Sequence, residues 1–291
     1  MANIQIIVDS ALDIDAKLAK KHGIRVMPCH IATDDGPFLD GVDFFKKDVF
    51  TYVDTTAKLP MTSQVTAIEW LEAYLNAYRE GKTDIIVITM NSKGSGTYSS
   101  ACQAVNLLQD EDEEAARALN IRIIDSKMYS IPTELPIRRA LPMIKAGASL
   151  REVADFIEDY YENEIILLGL GTLDYAKKSG RLDTVSAFVG EVLGLKPIML
   201  LHGENKVVAK ARGPKALIDQ LAKLYMDMAE DPENGEFAIA WSSDREMAKQ
   251  LAAAIKKLGG PAPKIENELG TCVTINTGPK AVGLGFRAKK R

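Results

Sequence analysis

Short apolar runs alternate with helix-like segments along the first half of the chain, and two of the runs are followed directly by a carboxylate and a hydroxyl side chain. Residues 4–8, 85–90 and 121–124 are such runs. Alternation of this kind predicts a parallel sheet that is covered by helices on both faces. Ligands of such open sheets bind beyond the carboxyl ends of the strands. The polar residues expected at that edge are Asp9, Ser10, Ser92, Ser95, Asp125 and Ser126.

Two hydroxyl-rich segments, residues 60–64 and 92–98, stand where helices are expected to begin. A strand, a turn of small residues and a helix start together present backbone N–H groups and hydroxyls to an anion. Taken singly, each segment is also typical of an ordinary helix cap or turn. The second segment matches neither a Walker loop nor the G-x-S-x-G nucleophile elbow. The pair therefore favours a site that holds a small anionic group over one that cleaves a bond.

The second half of the chain has a different pattern. Strand-like runs cover residues 165–170, 196–201, 207–209, 237–241 and 271–275, and residues 202–205 resemble a hairpin turn. Adjacent strands joined by a short turn predict a mixed sheet. Capping-box spacing at Thr66 with Glu69, and at Ser149 with Glu152, predicts two helix starts. We expect an N-terminal parallel α/β domain over residues 1–162 and a C-terminal α/β domain with a mixed sheet over residues 163–291.

Composition and charge argue against several classes of protein. The 291-residue chain has a net charge of −4 and no basic cluster typical of a nucleic-acid-binding surface. No apolar stretch approaches the roughly 20 residues of a membrane-spanning helix. The three cysteines are widely spaced, which indicates reduced thiols, and the N terminus does not resemble a secretory signal. We expect a cytoplasmic protein that neither binds nucleic acid nor spans a membrane.

The polar motifs occur together in an order that resembles the DegV family. They are Asp9-Ser10, Asp40-Gly41-Val42-Asp43, Pro60-x-Thr62-Ser63-Gln64, Ser95-Gly96-Thr97-Tyr98-x-Ser100-Ala101, Asp125-Ser126, Ser179-Gly180-Arg181, Leu195-Lys196-Pro197-Ile198 and Gly278-Pro279. This resemblance covers essentially the whole chain. It implies the two domains described above, with a long-chain fatty acid bound between them. It also implies a binding subunit that presents the carboxylate to a separate fatty-acid kinase, without an ATP site, cofactor or metal of its own.

The same resemblance assigns roles to individual residues. It implies that the hydroxyls of Thr62 and Ser95, the backbone around Gly96 and Thr97, and Arg181 bind the carboxylate. Asn276 belongs to this group as well, at a position where the family commonly has histidine. The residues expected to line the acyl-chain pocket are Phe188, Val192, Leu195, Ile198, Leu284 and Phe286.

The chain departs from the family pattern at Ser130-Ile131-Pro132-Thr133, where the family has a Ser-x-Gly-x-Gly helix start, and again near its end, where the departure leaves other functions open. Asn276 can form hydrogen bonds but cannot carry a charge, and Lys280 stands where the family has glycine. The chain is therefore also consistent with a lipid sensing or storage protein that does not support phosphorylation. A hydrolase with Ser95 as its nucleophile is a further alternative. It would need a histidine base from a distant loop, whereas the three histidines are isolated in the sequence.

Overall fold

The computed structural model describes residues 3–180 and 195–290. Its strands are β1 (Ile4–Asp9), β2 (Arg25–Met27), β3 (His30–Thr33), β4 (Gly36–Leu39), β5 (Met61–Ser63), β6 (Asp84–Thr89), β7 (Asn120–Asp125), β8 (Glu164–Gly169), β9 (Leu195–His202), β10 (Glu204–Arg212), β11 (Phe237–Trp241), β12 (Ile265–Glu268) and β13 (Val282–Arg287). Its helices are α1 (Ala16–His22), α2 (Lys46–Thr56), α3 (Ala67–Arg79), α4 (Thr97–Glu111), α5 (Glu113–Ala118), α6 (Glu134–Lys145), α7 (Leu150–Asn163), α8 (Asp174–Lys178), α9 (Pro214–Met228), α10 (Arg245–Lys257) and α11 (Thr271–Thr277). Single 3-10 turns are formed by Ser10–Leu12 and Ile131–Thr133.

The first half of the chain forms the predicted parallel sheet, with the strand order β2-β1-β6-β7. Ile7 of β1 aligns with Val87 of β6, which aligns in turn with Ile123 of β7. The two central strands are almost entirely buried, and this is why they stand out in the sequence as apolar runs. Helices α4 and α7 pack against β6 and β7. The capping boxes predicted at the starts of α3 and α7 are both present.

A small antiparallel sheet, β4-β3-β5, lies beside the parallel sheet and was not predicted from the sequence. The expectation that residues 60–64 begin a helix is wrong, because Thr62 pairs with Ile31 of β3 instead. Helix α3 begins only at Ala67, after Thr66 has capped its first turn. Strand β5 is three residues long, too short to give an alternating pattern in the sequence.

The second half forms a mixed sheet with the order β10-β9-β8-β13-β11-β12. Among its described strands only β11 and β12 pair in parallel. The predicted hairpin is present between β9 and β10, where His202 lies opposite Glu204. Helix α7 ends at Asn163 and β8 begins at Glu164, so the chain passes directly from the parallel part into the mixed sheet. The division into two domains at residues 162 and 163 stays a prediction.

The prediction of a strand at residues 271–275 is wrong, because these residues form helix α11. Their β-branched side chains favour a strand, but the surroundings decide otherwise. The backbone N–H of Gly270 donates to Asp13 Oδ2 at 2.8 Å, which fixes the start of the helix on the parallel part of the molecule. Gly278, with φ of +70°, ends it.

Side chains on the mixed sheet alternate between two cores. On β9, Ile198 and Leu200 belong to a core shared with α9 and α10, whereas Met199 and Leu201 belong to the core that includes the parallel sheet. The core that contains Met199 and Leu201 therefore joins the two halves of the chain. None of the helices formed by residues 3–180 and 195–290 has the length and apolar content that crossing a bilayer requires.

Candidate functional site

A cavity of about 580 Å³ lies between the carboxyl edge of the parallel sheet and the inner face of the mixed sheet. Its volume is within the roughly 300–1,000 Å³ typical of small-molecule sites. Polar residues enter its wall from β5, from the loop before α4 and from α11. The apolar part of the wall comes from β8, β9 and the segments beside them, and its residues include Leu168, Leu170, Ala176, Met199 and Leu201.

The loop before α4 supplies Ser95 and Gly96 to the cavity wall. The oxygens of Ser95 and Thr97 are 2.9 Å apart, and the backbone N–H of Thr97 donates to Ser95 Oγ at 3.3 Å. Ser95 therefore closes a local turn at the helix start while its side chain faces the cavity. Thr97 is fully buried behind it and is not among the described residues of the wall.

Two glycines in this loop allow side chains to pass unusually close to the backbone. A Cβ at Gly96 would overlap the amide of Gln64, and a Cβ at Gly94 would overlap the hydroxyl of Tyr129. Both Gln64 and Tyr129 line the cavity. No role was predicted for either side chain, because the contacts of Gln64 with Gly96 and of Tyr129 with Gly94 join segments that are far apart in the chain.

Strand β5 and helix α11 bring two further predicted residues to the cavity. Thr62 is partly buried at the edge of the small sheet, and Asn276 lies near the end of α11. The structure thus places Thr62, Ser95, Gly96 and Asn276 around one space. Arg181, which was also expected at the head group, lies outside the described residues.

The amide of Asn276 is held by its own helix. Its Nδ2 donates to the carbonyl oxygen of Cys272 at 2.7 Å, and its Oδ1 is buried without a hydrogen-bond partner among the described residues. The hydroxyl of Thr277, also on the cavity wall, is buried and unpartnered in the same way. Thr277 directly precedes the Gly278-Pro279 motif, but the motif alone did not indicate a residue of the cavity wall. The position of α11 places Thr277 there.

Most of the described residues predicted for the acyl-chain pocket lie elsewhere. Ile198, Leu284 and Phe286 are buried in the core on the opposite face of the mixed sheet, together with α9. The physical reason is the two-residue period of a strand, which turns Met199 toward the cavity and its neighbour Ile198 away from it. Leu195 is partly exposed at the start of β9. Phe188 and Val192 lie outside the described residues.

The polar residues at the strand ends hold the cavity wall in place. Asp9 is fully buried and accepts hydrogen bonds from the backbone of Met90 at 2.6 Å and of Ala11 at 3.0 Å, both of which line the cavity. Asp125 accepts from the Ser92 backbone at 3.0 Å. These carboxylates therefore position the loops, although the sequence grouped them with the candidate ligand contacts.

Burial dominates the electrostatics of this region. It raises the pKa of Asp9 to about 7, against the opposing effect of the two backbone hydrogen bonds. It raises the pKa of Asp13 to about 8, against hydrogen bonds from Ser130 and Gly270. A hydrogen bond with Cys29, together with burial, raises the pKa of the Cys272 thiol. Both thiols are part of the cavity wall.

The wall combines hydrogen-bonding groups with apolar surface. Its described residues supply hydroxyls, amides, thiols and one lysine, Lys93, whose Nζ is 3.3 Å from Glu204. Among residues 3–180 and 195–290, no group of three His, Cys, Asp or Glu side chains is placed to hold a metal ion. Of the histidines, His30 is paired with Glu69 at 2.9 Å, outside the described wall.

The chain resembles known sequences over nearly its whole length. Residues 3–289 match the model of a family described as uncharacterised proteins of the DegV family. The DegV domain-containing protein TTE1491 of Caldanaerobacter subterraneus subsp. tengcongensis is 29% identical over 99% of this chain and 100% of its own length.

Solved structures share the fold over the same extent. A DegV family protein from Thermus thermophilus, described for its fatty-acid binding, has a TM-score of 0.88 at 24% identity and covers 99% of this chain and 100% of its own. A DegV family protein from Eubacterium eligens, loaded with heptadecanoic acid, has a TM-score of 0.80 at 25% identity and covers 98% of this chain and 100% of its own.

Proposed function

Because the chain belongs to the DegV family, we propose that it binds a long-chain fatty acid in the cavity between its two sheets. The observation that carries the proposal is the pairing of hydroxyl and amide groups with an apolar wall in one cavity of about 580 Å³. A fatty acid needs a few convergent hydrogen-bonding groups for its head and apolar surface for its tail. Burying the tail contributes about 0.8 kcal/mol for each methylene group.

The head group is proposed to lie against Thr62, Ser95, Gly96 and Asn276, and this proposal is supported by the presence of all four in the cavity wall. The tail then extends along Leu168, Leu170, Met199 and Leu201. Arg181 remains a proposed head-group residue on the basis of its sequence motif alone. Several hydrogen bonds at the head group are needed, since a buried polar group without partners is costly.

We further propose that the protein presents the carboxyl group to a separate kinase subunit and has no ATP site of its own. It would act in the cytoplasm, which is consistent with the three free cysteines. The experiment incubates the lipid-loaded protein with ATP and a bacterial fatty-acid kinase subunit, and traps acyl phosphate with hydroxylamine. We expect the hydroxamate of the bound acid. If the lipid-loaded protein yields no hydroxamate with several such kinase subunits, the proposed presentation of the carboxyl group for phosphorylation is contradicted.

A second function, lipid storage or sensing without phosphorylation, is favoured by one specific observation. Asn276 offers a neutral amide at the head group, and this amide cannot supply positive charge to a growing acyl phosphate. Binding of fatty acid in the absence of any acyl phosphate would be the expected result for such a protein. The kinase assay thus distinguishes the two functions.

A further inference from the structure

Lys93 brings positive charge to the described wall of the cavity. In the wall formed by residues 3–180 and 195–290, it alone has a side chain that carries a formal charge at neutral pH. It stands in the loop before α4, two residues before Ser95, and its side chain is 62% exposed. The charge therefore lies at the rim of the cavity, close in the chain to a proposed head-group residue.

Asn91 fixes the backbone of Lys93 relative to the β9–β10 hairpin. Asn91 is buried, and its Oδ1 accepts from the backbone N–H of Lys93 at 3.1 Å. Its Nδ2 donates to the carbonyl oxygen of Gly203 at 2.6 Å. Gly203 directly precedes Glu204 in the hairpin. A buried amide therefore holds the backbone of the Lys93 loop against the backbone that carries Glu204.

The side chains of Lys93 and Glu204 are held less firmly than their backbones. The Nζ of Lys93 is 3.3 Å from Oε1 of Glu204, and the two side chains are 62% and 53% exposed. Ion pairs this exposed contribute little, because water screens the charges and ordering two long side chains costs entropy. The flexible stem of lysine allows the ammonium group to rotate away from Glu204 toward Ser95. Glu204 therefore keeps the ammonium group at the rim without fixing it there.

The cluster around Glu204 carries surplus positive charge. The Nζ of Lys206 is 3.1 Å from Oε2 of Glu204, so two ammonium groups share one carboxylate. Hydrogen bonds from Lys206 and Lys93 lower the pKa of Glu204, which is therefore ionised at neutral pH. Because Lys206 stays paired with Glu204, Lys93 can leave that carboxylate for another anion.

Other charged groups beside the loop have partners of their own. Asp125 accepts hydrogen bonds from the backbone of Ser92 at 3.0 Å and of Lys127 at 2.9 Å. The ammonium group of Lys127 bonds to Glu162. Behind the wall, burial raises the pKa of Asp9 to about 7, so this carboxyl group is mostly protonated below that pH. Lys93 is therefore the described cation that an anionic ligand in the cavity can recruit.

We propose that Lys93 is a ligand-binding residue, whose ammonium group leaves Glu204 and pairs with the carboxylate of the fatty acid at Ser95. Glu204 is then the anion that competes with the ligand for Lys93. This inference rests on the proposed function, because it uses the same cavity and the same class of ligand, and it adds a cation that the sequence motifs did not assign. Arg181, which is proposed from its motif alone, is left unchanged in every experiment below.

Lys93→Met removes the charge and keeps most of the stem. We expect palmitate to bind the delipidated variant about fivefold more weakly than the parent protein in about 20 mM salt. The loss should shrink to less than about twofold in about 500 mM salt, because salt screens exposed charges. Lys93→Arg keeps the charge and should retain the parent affinity to within about twofold. Titration calorimetry at about pH 7.5 measures each affinity.

Glu204→Gln should change the affinity in the opposite direction. It removes the competing carboxylate, so palmitate should bind about threefold more tightly than to the parent protein in about 20 mM salt. In the Lys93→Met background the same substitution should lose most of this effect, because no ammonium group remains to be released. The two substitutions are therefore expected to be non-additive.

Lys58→Met and Asp34→Asn are the matched controls. The Nζ of Lys58 is 2.6 Å from Oδ2 of Asp34, their side chains are 62% and 58% exposed, and neither residue belongs to the described cavity wall. Both variants should bind palmitate as the parent protein does at either salt concentration. Parent affinity in Lys93→Met at low salt, or weaker binding in Glu204→Gln, would overturn the inference and leave the proposed function standing. Failure of the parent protein to bind palmitate would overturn the proposed function and this inference together.

Discussion

Gly96 lies so close to the side-chain amide of Gln64 that a Cβ at position 96 would overlap Gln64 Oε1. Gln64 follows strand β5, and Gly96 stands at the start of α4. The contact therefore joins the two hydroxyl-rich segments, residues 60–64 and 92–98, which are far apart in the sequence. It also brings Thr62 and Ser95 to the same cavity.

Replacing Gly96 with alanine should disturb the cavity more than the fold. The added methyl group meets the flexible end of Gln64, which can rotate away at little cost to stability. The displaced amide changes the cavity wall, so we expect palmitate affinity to fall at least threefold. Equilibrium binding to delipidated protein measures this, and thermal melting measures the stability.

A double variant makes this prediction sharper. Gln64→Ala removes the overlapping atoms, so adding Gly96→Ala to it should cause little further loss, and the two effects should be non-additive. Gly23→Ala is the control, because Gly23 has φ of +63° and open space around it. That variant should lose stability without losing affinity. Additive effects of the two cavity substitutions would contradict the proposed contact.

Replacing Ser95 or Thr62 with alanine should weaken fatty-acid binding and leave the fold intact. Each variant loses a hydrogen bond to the head group, which corresponds to roughly 1.5–3 kcal/mol if that group is charged and about 1 kcal/mol if it is neutral. Titration calorimetry with palmitate measures the loss.

Ser149→Ala separates this result from a loss of helix capping. Ser149 caps α7 and accepts from the Glu152 backbone at 3.3 Å, outside the described wall of the cavity. We expect this control to lose about 1 kcal/mol of stability and to retain full affinity. If Ser95→Ala behaves in the same way, its hydroxyl is only a cap.

Met199 and Ile198 are neighbours on β9 but should respond differently to substitution. Met199→Trp fills the cavity from its apolar wall, so the variant should accept shorter acyl chains than the parent protein. Ile198→Val affects the opposite core and should cost about 0.5–1.5 kcal/mol of stability without changing the preferred chain length. Binding of saturated acids of graded length measures the preference. An unchanged preference in Met199→Trp would show that the tail lies elsewhere.

The stability of the protein should fall as the pH rises from about 4 to about 8. Burial raises the pKa of Asp9 to about 7 and that of Asp13 to about 8, so both groups hold protons in the folded state that they lose when the chain unfolds. The folded state therefore binds more protons than the unfolded state in this range, and the free energy of unfolding decreases with pH. Urea unfolding at several pH values measures this decrease, which we expect to be on the order of a few kcal/mol.

Asp13→Asn should flatten the upper part of that pH profile. The amide oxygen can still accept from Ser130 and from the Gly270 backbone, so the start of α11 stays in place. The variant should gain stability relative to the parent protein above about pH 7. A profile that keeps its full slope would show that Asp13 is already ionised in the folded protein.

The sequence predicted the parallel sheet well because its central strands are buried on both faces and form unbroken apolar runs. It predicted the hairpin of β9 and β10 from a local turn. It did not predict β5 or α11, since long-range contacts determine both: Thr62 pairs with Ile31, and Gly270 is anchored to Asp13. The same limit applies to the site, where the side of the sheet that Ile198 faces could not be inferred from its apolar character alone.

Mass spectrometry of an organic extract of the purified protein shows whether a long-chain fatty acid occupies the cavity. The protein should be expressed in a bacterial host, purified without detergent and compared with Met199→Trp prepared in parallel. We expect about one equivalent of a long-chain fatty acid, bound tightly because each buried methylene contributes about 0.8 kcal/mol, and a shorter or absent acid in the variant. An extract without fatty acid, together with a delipidated protein whose melting temperature does not rise when palmitate is added, would contradict this expectation.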